Sequence, residues 1–253
     1  MNNVNLILGD CITEMKNLPD NSVDLVLTSP PFNKTGYRGH RDTSKGRGRW
    51  SGADIIYGNY HDDMEENEYK NWQINILNEC YRIIKETGSI FYNHKIRRAS
   101  GAASHPMEWV SKSKARFYQQ IVWDRTSGPD HNINYLDPIT ELIFWLVKGT
   151  PKCHKVKDYA TEIWRIPALP TDDNHPAPFP KKLCRAAILT TTDECDMVVD
   201  PYAGSGTVGV VCKETGRNFI GIEINPNYIK IANERIDNVV GNVFNNSLRG
   251  IIK

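Results

Sequence analysis

Hydrophobic and polar residues alternate along the chain in two patterns. Short apolar runs predict buried strands at Asn5–Leu8, Val23–Thr28, Ser89–Asn93, Gln120–Trp123, Glu141–Val147, Met197–Asp200 and Asn218–Ile224. Apolar residues at helical spacing predict helices at Cys11–Leu18, Glu65–Lys85, Phe179–Leu189, Thr207–Glu214 and Pro226–Ile236. This alternation predicts an α/β fold with a doubly wound, Rossmann-like sheet of mostly parallel strands and loop insertions.

The helix predicted at Glu65–Lys85 has the clearest pattern. Its apolar residues recur every three or four positions, at Tyr69, Trp72, Ile76, Cys80 and Ile84. Thr87 and Gly88 are expected to end it before the next strand begins. The later runs Gln120–Trp123 and Glu141–Val147 are candidates for a hairpin.

Length and composition are those of an ordinary globular protein. The 253 residues are 40% hydrophobic and 24% charged, which suits a single domain spanning 1–253. No apolar stretch is long enough to cross a bilayer, and the polar start is unlike a signal peptide. Six scattered cysteines predict reduced thiols in the cytoplasm, with no metal site. The net charge of +1 gives no sign of a nucleic-acid partner, so the prediction of such a partner would have to rest on a local basic patch.

A basic patch does occur, in a candidate loop insertion at residues 33–62. Glycines interrupt this stretch repeatedly and aromatic residues are interleaved, which is typical of a loop. A basic loop is often only a solvated surface, but contact with nucleic-acid phosphates is the alternative. The candidate DNA-binding residues are Lys34, Arg38, Arg41, Lys45, Arg47 and Arg49.

The loop directly follows a rigid turn, Leu27-Thr28-Ser29-Pro30-Pro31-Phe32. Consecutive prolines fix the turn and carry no N–H, so only carbonyls remain to contact a ligand. The Ser29 hydroxyl and the Pro30 carbonyl suit an exocyclic amine, which needs acceptors that hold its nitrogen pyramidal. Phe32 offers a face on which an extruded base could stack. The alternative is a structural proline turn with Phe32 in the core.

A glycine turn follows the apolar run at Met197, in Asp200-Pro201-Tyr202-Ala203-Gly204-Ser205-Gly206-Thr207. It also fits a dinucleotide fingerprint, so a nicotinamide-dependent dehydrogenase is a rival interpretation. Asp200 would repel a pyrophosphate, whereas the sulfonium and amino groups of S-adenosylmethionine tolerate a carboxylate. Glu223, which ends the next strand, could accept both ribose hydroxyls. Asp10 could accept from an adenine amino group, or it could simply cap a helix.

Together these motifs resemble the permuted (β) class of DNA amino-methyltransferases, in which the catalytic turn precedes the cofactor loop. The resemblance implies methyl transfer from S-adenosylmethionine to a flipped base in double-stranded DNA. The serine form of the turn is typical of cytosine-N4 enzymes, and the aspartate form of adenine-N6 enzymes. The implied catalytic residues are Ser29, Pro30, Pro31 and Phe32. The implied cofactor-binding residues are Asp10, Thr28, His175, Pro176, Asp200, Pro201, Gly204, Ser205, Gly206, Thr207 and Glu223.

The resemblance also implies a variable DNA-reading region between the two motifs. Residues 148–174 are the natural place for it, and this candidate target-recognition segment is short. Its members that could reach DNA, or could equally be solvated, are Lys152, His154, Lys155, Lys157, Trp164 and Arg165. Two alternatives for the function stay open, namely an adenine-N6 enzyme and a catalytically inactive nucleic-acid-binding module. For the basic loop, the alternative to DNA contact is that it forms the interface of a homodimer.

Overall fold

A computed structural model describes residues 3–33, 64–99, 102–127, 136–169 and 179–239. The strands are β1 (Val4–Leu8), β2 (Val23–Thr28), β3 (Ile84–His94), β4 (Arg97–Ala99), β5 (Ala102–Ser104), β6 (Arg116–Asp124), β7 (Thr140–Val147), β8 (Ile163–Arg165), β9 (Met197–Asp200) and β10 (Asn218–Glu223). The helices are α1 (Cys11–Met15), α2 (Glu66–Ile83), α3 (Met107–Val110), α4 (Lys181–Thr191), α5 (Thr207–Thr215) and α6 (Pro226–Asp237).

Eight strands form one sheet in the order β1-β10-β9-β2-β3-β7-β6-β8. All neighbours pair in parallel except β7, which is antiparallel to both β3 and β6. The hairpin prediction is therefore confirmed, although β6 and β7 are both longer than predicted. The sheet confirms the predicted α/β fold with mostly parallel strands.

Helices cover both faces of the sheet, because successive residues of a strand point to opposite sides. Val26 of β2 belongs to the core that also contains Met15 of α1 and Ile76 of α2. Its neighbours Leu25 and Leu27 belong to the second core, with residues of α4 and α5. A strand buried on both faces carries apolar residues at consecutive positions, as β2 does at Leu25, Val26 and Leu27. In the part of the chain that the structure describes, no helix has the length and hydropathy of a membrane span.

Helix α2 ends earlier than its pattern predicts. It stops at Ile83, and Ile84 is already extended, with φ −71° and ψ 146°. Ile84 pairs with Val23, while Leu25 pairs with Ser89, so the residues between Ile84 and Ser89 form a bulge in β3. The prediction that Thr87 and Gly88 separate the helix from the strand was wrong. Strand β3 already begins at Ile84, which is fully buried where it pairs with Val23 of β2.

Asp24 of β2 ties this bulge to the rest of the sheet. Its carboxylate is almost fully buried and accepts hydrogen bonds from Lys85 Nζ at 2.8 and 2.9 Å. It also accepts from the backbone N–H of Met197 at 3.0 Å, where β9 begins. One carboxylate thus links β2, β3 and β9 at the amino end of the sheet.

Replacing Asp24 by alanine is expected to lower the free energy of unfolding by about 1–3 kcal/mol, since the Met197 N–H loses its acceptor. Lys85 is 40% exposed and regains water, so its ammonium adds little to this cost. The measurement is urea denaturation. The matched control is Asp20→Ala, because Asp20 pairs with Arg82 at 2.6 Å but is 66% exposed. That variant should lose less than about 1 kcal/mol; equal losses would contradict the importance of burial.

Candidate active site

The carboxyl ends of four neighbouring parallel strands, β1, β10, β9 and β2, border one cavity. Chain segments far apart in sequence meet there, because parallel strands present their carboxyl ends at the same edge of the sheet. The cavity is lined by Gly9, Asp10, Cys11, Ser29, Pro30, Pro31, Phe32, Trp72, Phe179, Asp200, Pro201, Tyr202, Ala203, Gly204, Ser205, Thr207, Val208, Glu223, Ile224 and Tyr228. The structure therefore brings the proline turn and the glycine turn together around a single space.

Ser29 is oriented by a residue that the sequence pattern did not single out. Thr28 pairs with Tyr92 in the sheet, so Ser29 comes level with Asn93 of β3. Ser29 Oγ donates to Asn93 Oδ1 at 3.0 Å, and Asn93 Nδ2 donates to the Leu142 carbonyl at 3.2 Å. The Leu142 carbonyl fixes which way the amide points, and the amide oxygen takes the single proton of Ser29. The lone pairs of Ser29 Oγ then remain available to a ligand.

The rest of the proline turn is held by α2, by Met64 just before that helix, and by β3. The Tyr69 hydroxyl lies 2.7 Å from the Pro31 carbonyl oxygen. Asn33 Nδ2 donates to the Met64 carbonyl at 2.8 Å. The Phe32 ring packs against the imidazole of His94, with 4.5 Å between the ring centroids, and also lines the cavity. Phe32 is thus half-buried beside the cavity. The alternative of a purely structural turn would have placed it in the central core, where it does not lie.

The glycine turn between β9 and α5 needs glycine at two positions. Gly204 and Gly206 have φ of +51° and +77°, in the region that side chains disfavour. A Cβ at Gly206 would also lie 2.7 Å from the Cβ of Ala232 in α6. Arg235, in the same helix, donates to the carbonyl and hydroxyl oxygens of Ser205. Helix α6 therefore supports the turn from behind, and Arg235 is a second residue that the sequence pattern missed.

Glu223 is already held by the backbone around the cavity. Its two carboxylate oxygens accept from the N–H groups of Gly204 and Asn225, each at 2.9 Å. Burial raises the pKa of Glu223, and these hydrogen bonds oppose the increase. Each oxygen keeps a further lone pair, which is what a ribose diol would require.

Asp200 is buried at the end of β9 and accepts from the Tyr202 N–H at 3.0 Å. Burial raises the pKa of Asp200 to about 7, the Tyr202 N–H opposes the increase, and the nearby Glu223 charge adds to it. An acid with this pKa changes charge near neutral pH. A bound cation at this place would favour its ionised form.

The remaining predicted cofactor residues differ in whether they line the cavity. Asp10 lines the cavity and also caps α1, since its Oδ1 accepts from the N–H and the hydroxyl of Thr13 at 2.9 Å. Thr28 is fully buried, and neither Thr28 nor Gly206 is among the lining residues. His175 and Pro176 lie outside the residues that the structure describes, as do Lys34, Arg38, Arg41, Lys45, Arg47 and Arg49.

Two residues of the candidate target-recognition segment contact other parts of the fold. Trp164 of β8 is 3% exposed and stacks on Phe91, with 6.0 Å between the centroids, because β8 joins the sheet beside β6. Lys152 binds Asp196 at 2.6 Å and Asp193 at 3.0 Å, at the opposite end of the sheet from the cavity. By contrast, Arg165 is 75% exposed and pairs with Asp124. Within the described ranges, no group of His, Cys, Asp or Glu is arranged to hold a metal ion.

Comparison with known proteins finds relatives by sequence and matches by structure. DNA adenine methyltransferase YhdJ of Escherichia coli K12 is 25% identical over 271 residues, covering 92% of this chain and 82% of the relative. The structure of the cytosine-N4-specific PvuII DNA methyltransferase matches with a TM-score of 0.73 at 21% identity, over 94% of this chain and 88% of that one.

A further structural match is TTHA0409 of Thermus thermophilus, in complex with S-adenosylmethionine. It has a TM-score of 0.63 and 19% identity, and covers 92% of this chain and 94% of that one. At these identities the two structural matches establish the fold alone. The family model for N6/N4 enzymes, described as DNA methylase, matches residues 23–234. Since this match spans most of the chain, the protein belongs to the N6/N4 DNA methylase family.

Proposed function

We propose that this protein transfers a methyl group from S-adenosylmethionine to the exocyclic N4 amine of a flipped cytosine in double-stranded DNA. The observation that carries the proposal is the single cavity in which the Ser29–Phe32 turn faces the Asp200–Thr207 turn. One turn offers acceptors for an amine and the other offers a place for the methyl donor. Membership of a DNA methylase family sets the dehydrogenase interpretation aside.

The residues around the glycine turn fit the cofactor. We assign the ribose hydroxyls to Glu223, whose carboxylate is prepositioned by two backbone N–H groups. The adenine amino group would be accepted by Asp10, and the positive charge of the methionine end would lie near Asp200. When bound, the cofactor supplies an electrophilic methyl group on a sulfonium. A buried carboxylate beside that charge strengthens binding because the local dielectric constant is low.

The proline turn provides the groups that activate the amine. An exocyclic amine on an aromatic ring is a weak nucleophile, since its lone pair is delocalised into the ring. The Ser29 hydroxyl donates its hydrogen bond to Asn93 Oδ1, so the Ser29 oxygen can accept a hydrogen bond from one N–H of the amine. The Pro30 carbonyl accepts the other, and both acceptors stabilise the positive charge that develops on nitrogen during transfer. Phe32, which lies beside the cavity, would stack on the flipped base.

The serine form of the turn supports cytosine-N4 over adenine-N6. The adenine-N6 enzyme is the second candidate, because the relative YhdJ is a DNA adenine methyltransferase. The deciding experiment incubates plasmid DNA with protein and cofactor, digests it, and identifies the methylated nucleoside by mass spectrometry. N4-methylcytosine is expected; N6-methyladenine would support the second candidate, and the absence of both would support a catalytically inactive binding module.

The Ser29→Ala variant is expected to lose about tenfold to a hundredfold in kcat while its KM for the cofactor stays unchanged, because Ser29 acts on the amine during transfer. Initial rates of methyl transfer give both constants. A suitable control is Ser22→Ala at the other end of β2, where the hydroxyl donates to the Pro19 carbonyl at 2.7 Å. The assignment of Ser29 would be wrong if both variants turned over at the unmodified rate.

Cofactor affinity is expected to weaken as pH falls through the Asp200 pKa of about 7. Below that pH the free carboxyl is protonated, and binding a cation beside it must first release the proton, so Kd should rise by up to about tenfold per pH unit. Calorimetry between about pH 7.5 and 5.5 measures this dependence. Asp200→Asn should bind more weakly at the upper pH and show a flatter profile, with Glu223→Gln as the control for the second acid that lines the cavity. An unchanged profile in Asp200→Asn would refute the assignment.

The basic loop at residues 33–62 is proposed to contact DNA phosphates. Replacing Arg41, Arg47 and Arg49 by alanine should weaken DNA binding and reduce the slope of log K against log salt by about 0.9 for each phosphate that is no longer neutralised. Fluorescence anisotropy over a salt series measures the slope, and cofactor affinity should not change. Sedimentation tests the alternative interface: normal DNA affinity with a disrupted dimer would place the loop between subunits.

A further inference from the structure

The proline turn obtains little support from its own backbone. Pro30 and Pro31 have no N–H to donate. Among the residues that the structure describes, neither Pro30 nor Pro31 takes part in a backbone–backbone hydrogen bond. A turn that must place an amine within reach of a methyl group therefore depends on side chains from elsewhere in the fold.

Tyr69 of α2 supplies one of these side chains. Its ring is completely buried, and its hydroxyl oxygen lies 2.7 Å from the Pro31 carbonyl oxygen. On its other side the same oxygen lies 2.8 Å from Nε2 of His94. His94 in turn packs against the ring of Phe32. Tyr69 and His94 thus contact two consecutive residues of the turn from behind.

The position of Tyr69 is itself fixed by charged neighbours. The guanidinium of Arg97 lies over the Tyr69 ring, 4.7 Å from its centroid, and over the Trp109 ring at 5.4 Å. Arg97 also binds both carboxylate oxygens of Glu66, at 2.7 and 2.9 Å. With a cation over its ring and an ion pair behind it, the phenol has little freedom to turn away from Pro31.

The protons of this cluster can be counted. His94 Nδ1 lies 2.7 Å from the Lys95 carbonyl, so three short contacts join Lys95, His94, Tyr69 and Pro31. A neutral histidine and a tyrosine supply only two protons for these three contacts. These two protons allow two arrangements. If His94 carries its proton on Nδ1, it donates to the Lys95 carbonyl and Nε2 accepts the phenol proton. If it carries its proton on Nε2, it donates to the Tyr69 oxygen and the phenol proton is left for the Pro31 carbonyl. Only the second arrangement supplies a donor to the Pro31 carbonyl, and the NMR signal of that carbonyl distinguishes the two.

We propose that Tyr69 is a positioning residue for methyl transfer, which donates its phenolic proton to the Pro31 carbonyl and so holds Ser29 and Phe32 in place. Tyr69 is not among the residues that line the cavity, so it acts on the reaction only through the turn. The inference rests on the proposed function of that turn. It adds an element, α2, that none of the sequence motifs includes.

The test compares Tyr69→Phe with Tyr92→Phe. Both tyrosines are completely buried in the same core and each loses a single oxygen atom. The Tyr92 hydroxyl donates to Gln73 Oε1 at 2.8 Å and accepts from Trp109 Nε1 at 3.0 Å, without contacting the turn. Loss of stability is therefore common to both variants, and displacement of the turn is specific to Tyr69→Phe.

Methyl transfer to plasmid DNA, measured without regard to the base, should fall about tenfold in kcat for Tyr69→Phe, because the turn loses one hydrogen bond that holds Ser29 and Phe32 in place. KM for the cofactor should stay unchanged. Tyr92→Phe should keep the unmodified kcat at a temperature where both variants are folded. Equal kcat in the two variants would overturn the proposal.

A second measurement does not depend on activity. The sequence contains two Pro-Phe dipeptides, Pro31-Phe32 and Pro178-Phe179. Labelling the proline carbonyl carbon and the phenylalanine nitrogen therefore gives two correlated NMR signals. The Pro31 carbonyl signal should move upfield in Tyr69→Phe and not in Tyr92→Phe, with Pro178 as an internal reference. An unmoved Pro31 signal would mean that the phenol proton goes to His94, and would overturn the proposal. A moved signal in a protein that transfers no methyl group would support the contact and contradict the proposed function.

Discussion

The parallel pairing of β2 with β9 is the constraint on which the site depends. Leu25 pairs with Val198 and Val26 with Val199, although the two strands are far apart in the sequence. Both strands therefore end at the same edge, and the turns that follow them face one cavity. The helices on both faces, and the buried network around Asp24 at the other end, keep these two strands in register. Neither turn would have a partner without that register.

Asp200 is buried and Glu223 is partly buried where these strands end, and their surroundings affect them differently. Glu223 receives two backbone N–H groups and is oriented before any ligand arrives. Asp200 receives the N–H of Tyr202, and its pKa is raised to about 7 by burial. Burying a carboxylate without a cation is unfavourable, since the charged form loses its hydration. A positively charged ligand would remove that penalty, which makes the cavity better suited to a sulfonium than to a pyrophosphate.

The sequence predicted those parts of the fold and site that are local. Proline and glycine turns after apolar runs are local signals, so the longer strands and helices and the segments that meet at the cavity could be anticipated. The short elements β4, β5, α3 and β8 were not predicted. Asn93, Arg235 and Tyr69 could not, because each reaches its turn only through sheet register or helix packing. The burial of Trp164 was missed for the same reason, since β8 is too short to show a pattern. The roles of the basic loop and of His175 and Pro176 stay predictions.

The chemistry of the proline turn explains why its supports lie so far away in sequence. A turn that offers only acceptors to an amine benefits from the absence of N–H groups, which would compete for those acceptors. The same absence prevents the turn from joining the hydrogen-bond ladder of the sheet. The donor to the Pro31 carbonyl must then come from a neighbouring element, as it does from Tyr69, and at the end of the turn Asn33 Nδ2 donates outward to the Met64 carbonyl. Under the proposed function, the need for acceptors at the front of the turn thus explains the buried polar side chains of Tyr69, His94 and Arg97 behind it, where a hydrophobic core alone would have been simpler to form.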